Sequence, residues 1–261
     1  MKKIFYFAIA LLFSCETNIE NKEQSTANSA KDNVTTQPVK DSVATETKVE
    51  EKTSLNYALS SPETYLRNFG LVDIQEIEPQ IRVDLKYSTL DNFVGIDLYG
   101  DLDKAFCQPA VAQKLKKAYD YLQEEDSTLT LLVFDAVRPV SVQQKMWDTL
   151  QMPIYEKTKF LSNPKNHSIH NYGAALDISI STKNGEELDM GTPFDFIGKL
   201  AYPREEKKLL KAEELTENQV KRRFLLRKVM KKAGFFNIQT EWWHWNSCSR
   251  NTAKRKYKLV K

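Results

Sequence analysis

Only three histidines occur among the 261 residues: His167, His170 and His244. Two of them fall in the most unusual segments of the chain. The first runs Ser168-Ile169-His170-Asn171-Tyr172-Gly173-Ala174-Ala175-Leu176-Asp177, the second Glu241-Trp242-Trp243-His244-Trp245. Catalytic zinc takes three protein ligands from His, Asp or Glu and keeps a fourth position open for water. His170, Asp177 and His244 supply two imidazoles and one carboxylate. Glu241 stands close to the last of these and is a candidate general base. Zinc lowers the pKa of its bound water to about 7, and a neighbouring carboxylate can take the remaining proton as that water attacks. Each segment alone has an ordinary reading, since a histidine among aromatics is often only packed and an aspartate ending a strand often makes a turn. Each supplies what the other lacks, and the four residues together would suffice for hydrolysis of a peptide bond.

The Ser-x-His-x-x-Gly-x-Ala-x-Asp spacing (Ser168, His170, Gly173, Ala175, Asp177) and the Glu-x-x-His spacing (Glu241, His244) resemble those of the D-alanyl-D-alanine dipeptidases. That family belongs to a wider group of zinc peptidases that includes cell-wall D,D-carboxypeptidases. The resemblance implies one zinc ion per chain, held by His170, Asp177 and His244, with Glu241 as base. This agrees with the reading of the residues themselves. Phe134-Asp135-Ala136-Val137-Arg138-Pro139 resembles the family's Asp-x-x-Arg-Pro segment. It implies that Arg138 stabilises the oxyanion of the tetrahedral intermediate, a task suited to an always-charged group with several donors. Asp135, grouped with the substrate-binding residues, would orient it. Ser168 is implied to hydrogen-bond the substrate beside the zinc. Met190-Gly191-Thr192-Pro193-Phe194-Asp195 resembles the segment whose Asp meets the free amino group of a dipeptide, although Asp195 also reads as a turn or cap residue after Pro193. Asn92-Phe93 and Tyr99 fit the family's general pattern, whereas Asn246-Ser247-Cys248 matches no feature of it.

The similarity runs from about Leu71 to Trp245. It implies zinc-dependent hydrolysis of D-Ala-D-Ala, or a related D-amino-acid dipeptide with a free amino terminus, in cell-wall peptide turnover. A D,D-carboxypeptidase or endopeptidase acting on wall peptides is the nearest alternative. A non-catalytic, zinc-stabilised envelope binding module is another, and the presence of Glu241 argues against it.

The elements that must position these residues follow from periodicity. Val72–Ile74 and Ile81–Leu85 alternate as strands do. Pro109 opens a helix with Val111, Leu115, Ala118 and Leu122 on one side, a position where its missing N–H costs nothing. Leu129–Phe134 is an apolar run that reads as a buried strand, and residues 140–150 as a helix. Residues 151–171 are irregular, and 173–180 return to strand character. Residues 216–233 form a long basic amphipathic helix ended by Gly234, followed by a strand through Phe235-Phe236 and the Trp-rich segment. Helices and strands mix without a regular βαβ beat, so the expected class is α+β: one domain with a central, mainly antiparallel sheet flanked by helices, the zinc site at the sheet. Residues three apart on a regular strand face opposite ways, so Glu241 should lie at an irregular entry and His244 inside the strand.

The first stretch is not part of that domain. Met1-Lys2-Lys3, an apolar run from Ile4 to Phe13 and Ser14-Cys15 form a short signal peptide resembling a bacterial lipobox, with Cys15 the lipidated residue. An ordinary secretory signal or a simple anchor is the plainer alternative. The run is shorter than the roughly 20 residues a membrane span needs. Residues 16–53 are polar, without aromatics or glycine, and are expected to be a disordered tether. Residues 54–261 would then be the zinc dipeptidase domain, held outside the cytoplasm by a lipid anchor. A formal charge of +3 is too small to imply nucleic-acid binding. The basic tail from Arg250 to Lys261 reads as a solvated face or frayed end. The sequence leaves open the oligomeric state and whether Cys107 pairs with Cys248.

Overall fold

Two apolar runs set the frame. Leu129–Asp135 forms strand β4, buried along its whole length, and Ala175–Thr182 forms β5, buried in all but its last residue. They pair antiparallel at the centre of a five-stranded sheet ordered β2-β4-β5-β7-β6, where β2 is Arg82–Val83, β7 is His244–Asn246 and β6 is Phe236–Asn237. The computed structural model describes residues 61–158 and 161–261, so the expected signal peptide and tether lie outside the described residues.

Helix α3 (Pro109–Glu125) carries proline in its first turn and buries Val111, Ala112, Leu115, Ala118, Tyr119 and Leu122 on one stripe. Helix α7 (Glu217–Lys232) starts at a reciprocal cap between Thr216 and Gln219 and buries Leu226, Val229 and Met230. Gly234 follows it at a φ of 89°, which favours glycine. The two helices pack on each other, α3 also on β4 and α7 also on β5. The shorter helices are α1 (Pro62–Asn68), α2 (Ile74–Ile77), α4 (Val140–Thr149), α5 (Ile154–Lys157), α6 (Glu206–Lys211) and α8 (Arg250–Lys256).

The α+β mixture is as expected, but the sheet is mixed rather than simply antiparallel. β2 runs parallel to β4, while the β4–β5, β5–β7 and β7–β6 pairs are antiparallel. A parallel neighbour needs a long crossover, and residues 84–128, including α3, provide it. The expected strand through Ile74 stops at Asp73, whose carboxylate accepts from the Gln75 amide at 3.0 Å and caps α2. The two residues before it, β1 (Val72–Asp73), pair instead with β3 (Phe106–Cys107) in a separate two-stranded sheet.

The basic tail is not frayed. Ser249 caps α8, and Val260 is fully buried. Its amide donates to the Asn171 carbonyl and its carbonyl accepts from the Val140 amide, both at 2.9 Å. Cys107 and Cys248 are both free thiols. No described helix is long and apolar enough to cross a membrane.

One consequence of register matters most. Asp135 of β4 stands opposite Asp177 of β5, which stands opposite His244 of β7. Directly opposed residues share a face, so three neighbouring strands set these side chains in one row. The register shifts between Val133 and Asp135, at the end of the row.

Candidate metal centre and pocket

Asp177 and His244 meet through the sheet, and His170 joins them from the 3-10 turn Ile169–Tyr172 just before β5. Ser168 caps that turn: its hydroxyl accepts from the His170 amide at 3.3 Å, and the Asn171 side chain accepts from the Ser168 amide at 2.6 Å. Asn171 also donates to the Arg138 carbonyl at 2.7 Å, while the Arg138 amide donates to the His170 carbonyl at 3.1 Å. The turn is therefore pinned to the end of β4 and, through Val260, to the C-terminal tail.

His170 Nε2, His244 Nδ1 and Asp177 Oδ1 lie 3.0–3.4 Å from one another. The other nitrogen of each ring fixes its tautomer. His170 Nδ1 donates to the Ala136 carbonyl at 2.7 Å, with Asp135 Oδ2 at 3.4 Å, and His244 Nε2 donates to Asn246 Oδ1 at 3.1 Å. The two ring nitrogens facing each other thus present lone pairs, next to a carboxylate oxygen. Three such atoms repel unless a cation lies between them. Ligands held 2.0–2.1 Å from a tetrahedral zinc sit about 3.3 Å apart, so the donor set fits that ion in both chemistry and spacing. The same cluster also attracts protons, which compete with a cation for these lone pairs. Burial alone would raise Asp177, but the two imidazoles outweigh it and hold the group well below its usual range. Burial would lower His244, but the Asp177 carboxylate outweighs it and raises the ring.

Arg138 stands beside this cluster, almost fully buried, with Nη2 3.6 Å from Asp177 Oδ2. Asp135 Oδ2 accepts from its Nε at 3.0 Å and its Nη2 at 2.6 Å, while Asp135 Oδ1 accepts from the Tyr99 hydroxyl. Asp135 is wholly buried; its hydrogen bonds go to Arg138 and Tyr99, with His170 beside it, so it positions the guanidinium and does not line the pocket. Gln143 accepts from Arg138 Nη1 at 3.2 Å and donates to the Ser162 carbonyl at 2.7 Å. The Tyr87 ring lies 4.9 Å from the guanidinium carbon.

A pocket of about 230 Å³ opens over the cluster. Arg138, Ser168, Asp195 and Glu241 line it together with His170, Asp177 and His244, so every predicted site residue of the folded domain except Asp135 reaches it. Glu241 lies in the irregular segment just before β7, the entry its spacing from His244 requires. Its carboxylate is half-buried and has no hydrogen-bond or ion-pair partner among the described residues. Burial pushes it up to about 7, with Asp177 adding and His244 and Arg138 opposing. Asp195 has a φ of 59°, unusual for a residue with a side chain. The Tyr87 hydroxyl reaches both its carboxylate oxygens, at 3.1 and 2.9 Å. Burial, then the charge of Asp177, raises its pKa well above the usual value, against the pull of Arg138 and Tyr87. Phe93, Leu161, Ile197 and Ile238 give the pocket an apolar side, and Arg250 an exposed cation.

The sequence profile of the D-ala-D-ala dipeptidase family, peptidase M15, matches residues 67–260. The chain belongs to this family. It is a metallopeptidase. Over 174 residues it is 29% identical to the D-alanyl-D-alanine dipeptidase of Escherichia coli (strain K12), a match covering 67% of this chain and 82% of that protein. It is 26% identical over 191 residues to the D-alanyl-D-alanine dipeptidase of Enterococcus faecium, covering 67% and 90%. It is 27% identical over 193 residues to the enzyme of the same name from Streptomyces coelicolor, covering 68% and 90%.

Several residues of this metallopeptidase site escape sequence reasoning. Tyr87 touches both Asp195 and Arg138 from over a hundred positions before Asp195, and no local pattern marks such a pairing. Gln143 follows the Arg-Pro segment, and its place on the buried side of α4 is the signal that could have found it. Asn92 does not line the pocket. Its side chain donates to the Thr89 and Ile96 carbonyls at 2.7 and 3.0 Å and so shapes the loop that presents Phe93.

Proposed function

We propose that this chain is a zinc-dependent dipeptidase acting on D-Ala-D-Ala, or a related D-amino-acid dipeptide, with a free amino terminus. The carrying observation is the convergence of three lone-pair donors beside an unpaired carboxylate in a small pocket. His170, Asp177 and His244 would hold one zinc ion, which supplies an acidified water and a Lewis acid for the scissile carbonyl. Glu241 takes the proton released in the attack and delivers it to the leaving amine. Arg138, locked by Asp135 and Gln143, offers its remaining N–H groups to the oxygen that becomes negative.

Charge balance supports a substrate carrying an ammonium group. Asp135, Asp177, Asp195 and Glu241 are set against one buried cation, Arg138. Full ionisation leaves the site three negative charges in excess, which a divalent ion and one ammonium would offset. Asp195, oriented by Tyr87, is the natural partner of that ammonium, and Ser168, which lines the same pocket, would bond the peptide. Arg250 on the exposed wall leaves a cation for the carboxyl end. A D,D-carboxypeptidase would have no use for Asp195 in this place.

The same reading extends to the whole chain. Cys15 would carry the lipid, residues 16–53 would be the tether, and residues 54–261 would work on the periplasmic or cell-surface side in turnover of wall peptides. A screen of zinc-loaded protein against D,D-, L,D- and L,L-dipeptides, with free and acylated amines, tests the proposal. Cleavage of free D-Ala-D-Ala and not of its N-acyl form is expected. Preference for the acylated peptide would move the protein to the carboxypeptidases, and tight zinc binding without hydrolysis would leave only a binding module.

A further inference from the structure

Arg223 on α7 has no part in the chemistry above and sits in an expensive place. Its side chain is 0% exposed. Nη2 has no hydrogen-bond partner among the described residues. Glu206 lies 3.8 Å from Nη1, but its carboxylate is already taken by Arg227 at 2.7 and 2.8 Å. Burial pulls the guanidinium pKa down to about 10. An apolar side chain of similar volume is often no worse than a buried charge even when that charge is paired. The reason for a cation here therefore lies in what it holds.

It holds two carbonyls. Nε donates to Met190 at 2.6 Å and Nη1 to Leu200 at 2.9 Å. These residues bracket the segment that carries Asp195. Between 192 and 198 no amide donates a backbone–backbone hydrogen bond among the described residues. The backbone takes positive φ at Gly191, Asp195 and Gly198. Side chains hold the interior: the Thr192 hydroxyl accepts from Trp242 Nε1 at 2.8 Å, Phe194 packs 5.0–5.8 Å from Tyr87, Phe134 and Trp243, and Tyr87 meets Asp195. The guanidinium also lies 5.7 Å from the ring of Trp242, the neighbour of Glu241.

We propose that Arg223 is a positioning residue for substrate selection, its rigid fork fixing the span between Met190 and Leu200 and so the place of Asp195. Recognition of the substrate amine then depends on a guanidinium that never touches substrate. The inference rests on the reading of Asp195 as the amine acceptor. A planar fork can bridge two acceptors in fixed geometry, whereas a lysine ammonium is a point charge on a flexible stem. Misplacing a contact by about 1 Å can cost as much as 100-fold.

The test compares zinc-loaded full-length protein with R223K, R223M, D195N and the R223K/D195N double variant. R223K should raise KM for D-Ala-D-Ala by about tenfold, leave kcat within about threefold and keep the zinc content. If Arg223 acts through Asp195, the double variant should have the KM of D195N alone. Hydrogen exchange at the hydrogen-bonded amides that end the segment, Gly191, Ala201 and Tyr202, should quicken in R223K, while that at 244–246 should not. A wild-type KM in R223K, independent multiplication of the two effects, or a fall in kcat with KM unchanged would overturn the proposal. If R223M fails to fold, R223K still carries the test. A wild-type protein that hydrolyses no dipeptide would sink the functional reading, and the exchange comparison would still decide the clamp: unchanged exchange at Gly191, Ala201 and Tyr202 would end it.

Discussion

Replacing Glu241 by glutamine separates catalysis from stability. The substitution keeps the shape and removes both the charge and the ability to take a proton. Burial raises the carboxyl pKa from 4.5 to about 7, and no described side chain pairs with it. For an acid this shift destabilises the fold as pH rises. Between 4.5 and 7 the unfolded chain has given up the proton that the folded chain still holds, so stability falls through that window and the loss is complete above it. At 1.36 kcal/mol per pKa unit the shift corresponds to about 3 kcal/mol, which partial exposure reduces to roughly 2. Metal-free E241Q at pH 8 should therefore be more stable than metal-free wild type by about 2 kcal/mol, or about 4–8 °C in Tm for a domain of this size. The gain should vanish near pH 4 and shrink when zinc is bound, because the ion's charge stabilises the carboxylate. Turnover of D-Ala-D-Ala should fall by about 10²–10⁴ with zinc content unchanged. Thermal melts of the metal-free proteins at pH 4 and pH 8, with turnover of the loaded ones, make the assay. Identical melts at pH 8, or turnover near wild type, would refute the reasoning.

D135N should be destabilised by about 3–5 kcal/mol, because it leaves the Arg138 guanidinium buried without its carboxylate. It should also lose kcat, and a Tm equal to wild type would contradict the buried-pair reading. D195N should raise KM for D-Ala-D-Ala by about tenfold or more while zinc content stays constant, and an unchanged KM would remove Asp195 from the amine site. Reductant should leave the Tm unaltered, since Cys107 and Cys248 are both free; a drop of several degrees would mean a disulfide.

The candidate metal cluster was legible because its residues are scarce and grouped in two short segments. With three histidines in the chain, two motifs were enough to name the three side chains that the fold brings together. The helices α3 and α7 were legible from their apolar spacing, their capping residues and Gly234, and β4 from its apolar run. The register was not. The row of Asp135, Asp177 and His244 is made by pairing across three strands, and β7 is only three residues long, too short to show a period. The parallel entry of β2 was hidden for the same reason: two residues carry no direction. The C-terminal tail was half legible: its charges lie exposed, as a solvated face does, but its ordered position depends on one buried valine, Val260, and on α8, which its charge-dominated composition hides. Tyr87, Gln143 and Arg223 act over long stretches of chain, where sequence offers only residue type.

The central claim is that His170, Asp177 and His244 share one ion. Anomalous scattering at the zinc edge from crystals of the zinc-loaded protein tests it most directly. The account predicts a single strong peak about 2.0–2.2 Å from His170 Nε2, His244 Nδ1 and an Asp177 oxygen, with one coordination position open toward Glu241. A peak elsewhere, or one of those three side chains turned away from the ion, would contradict it.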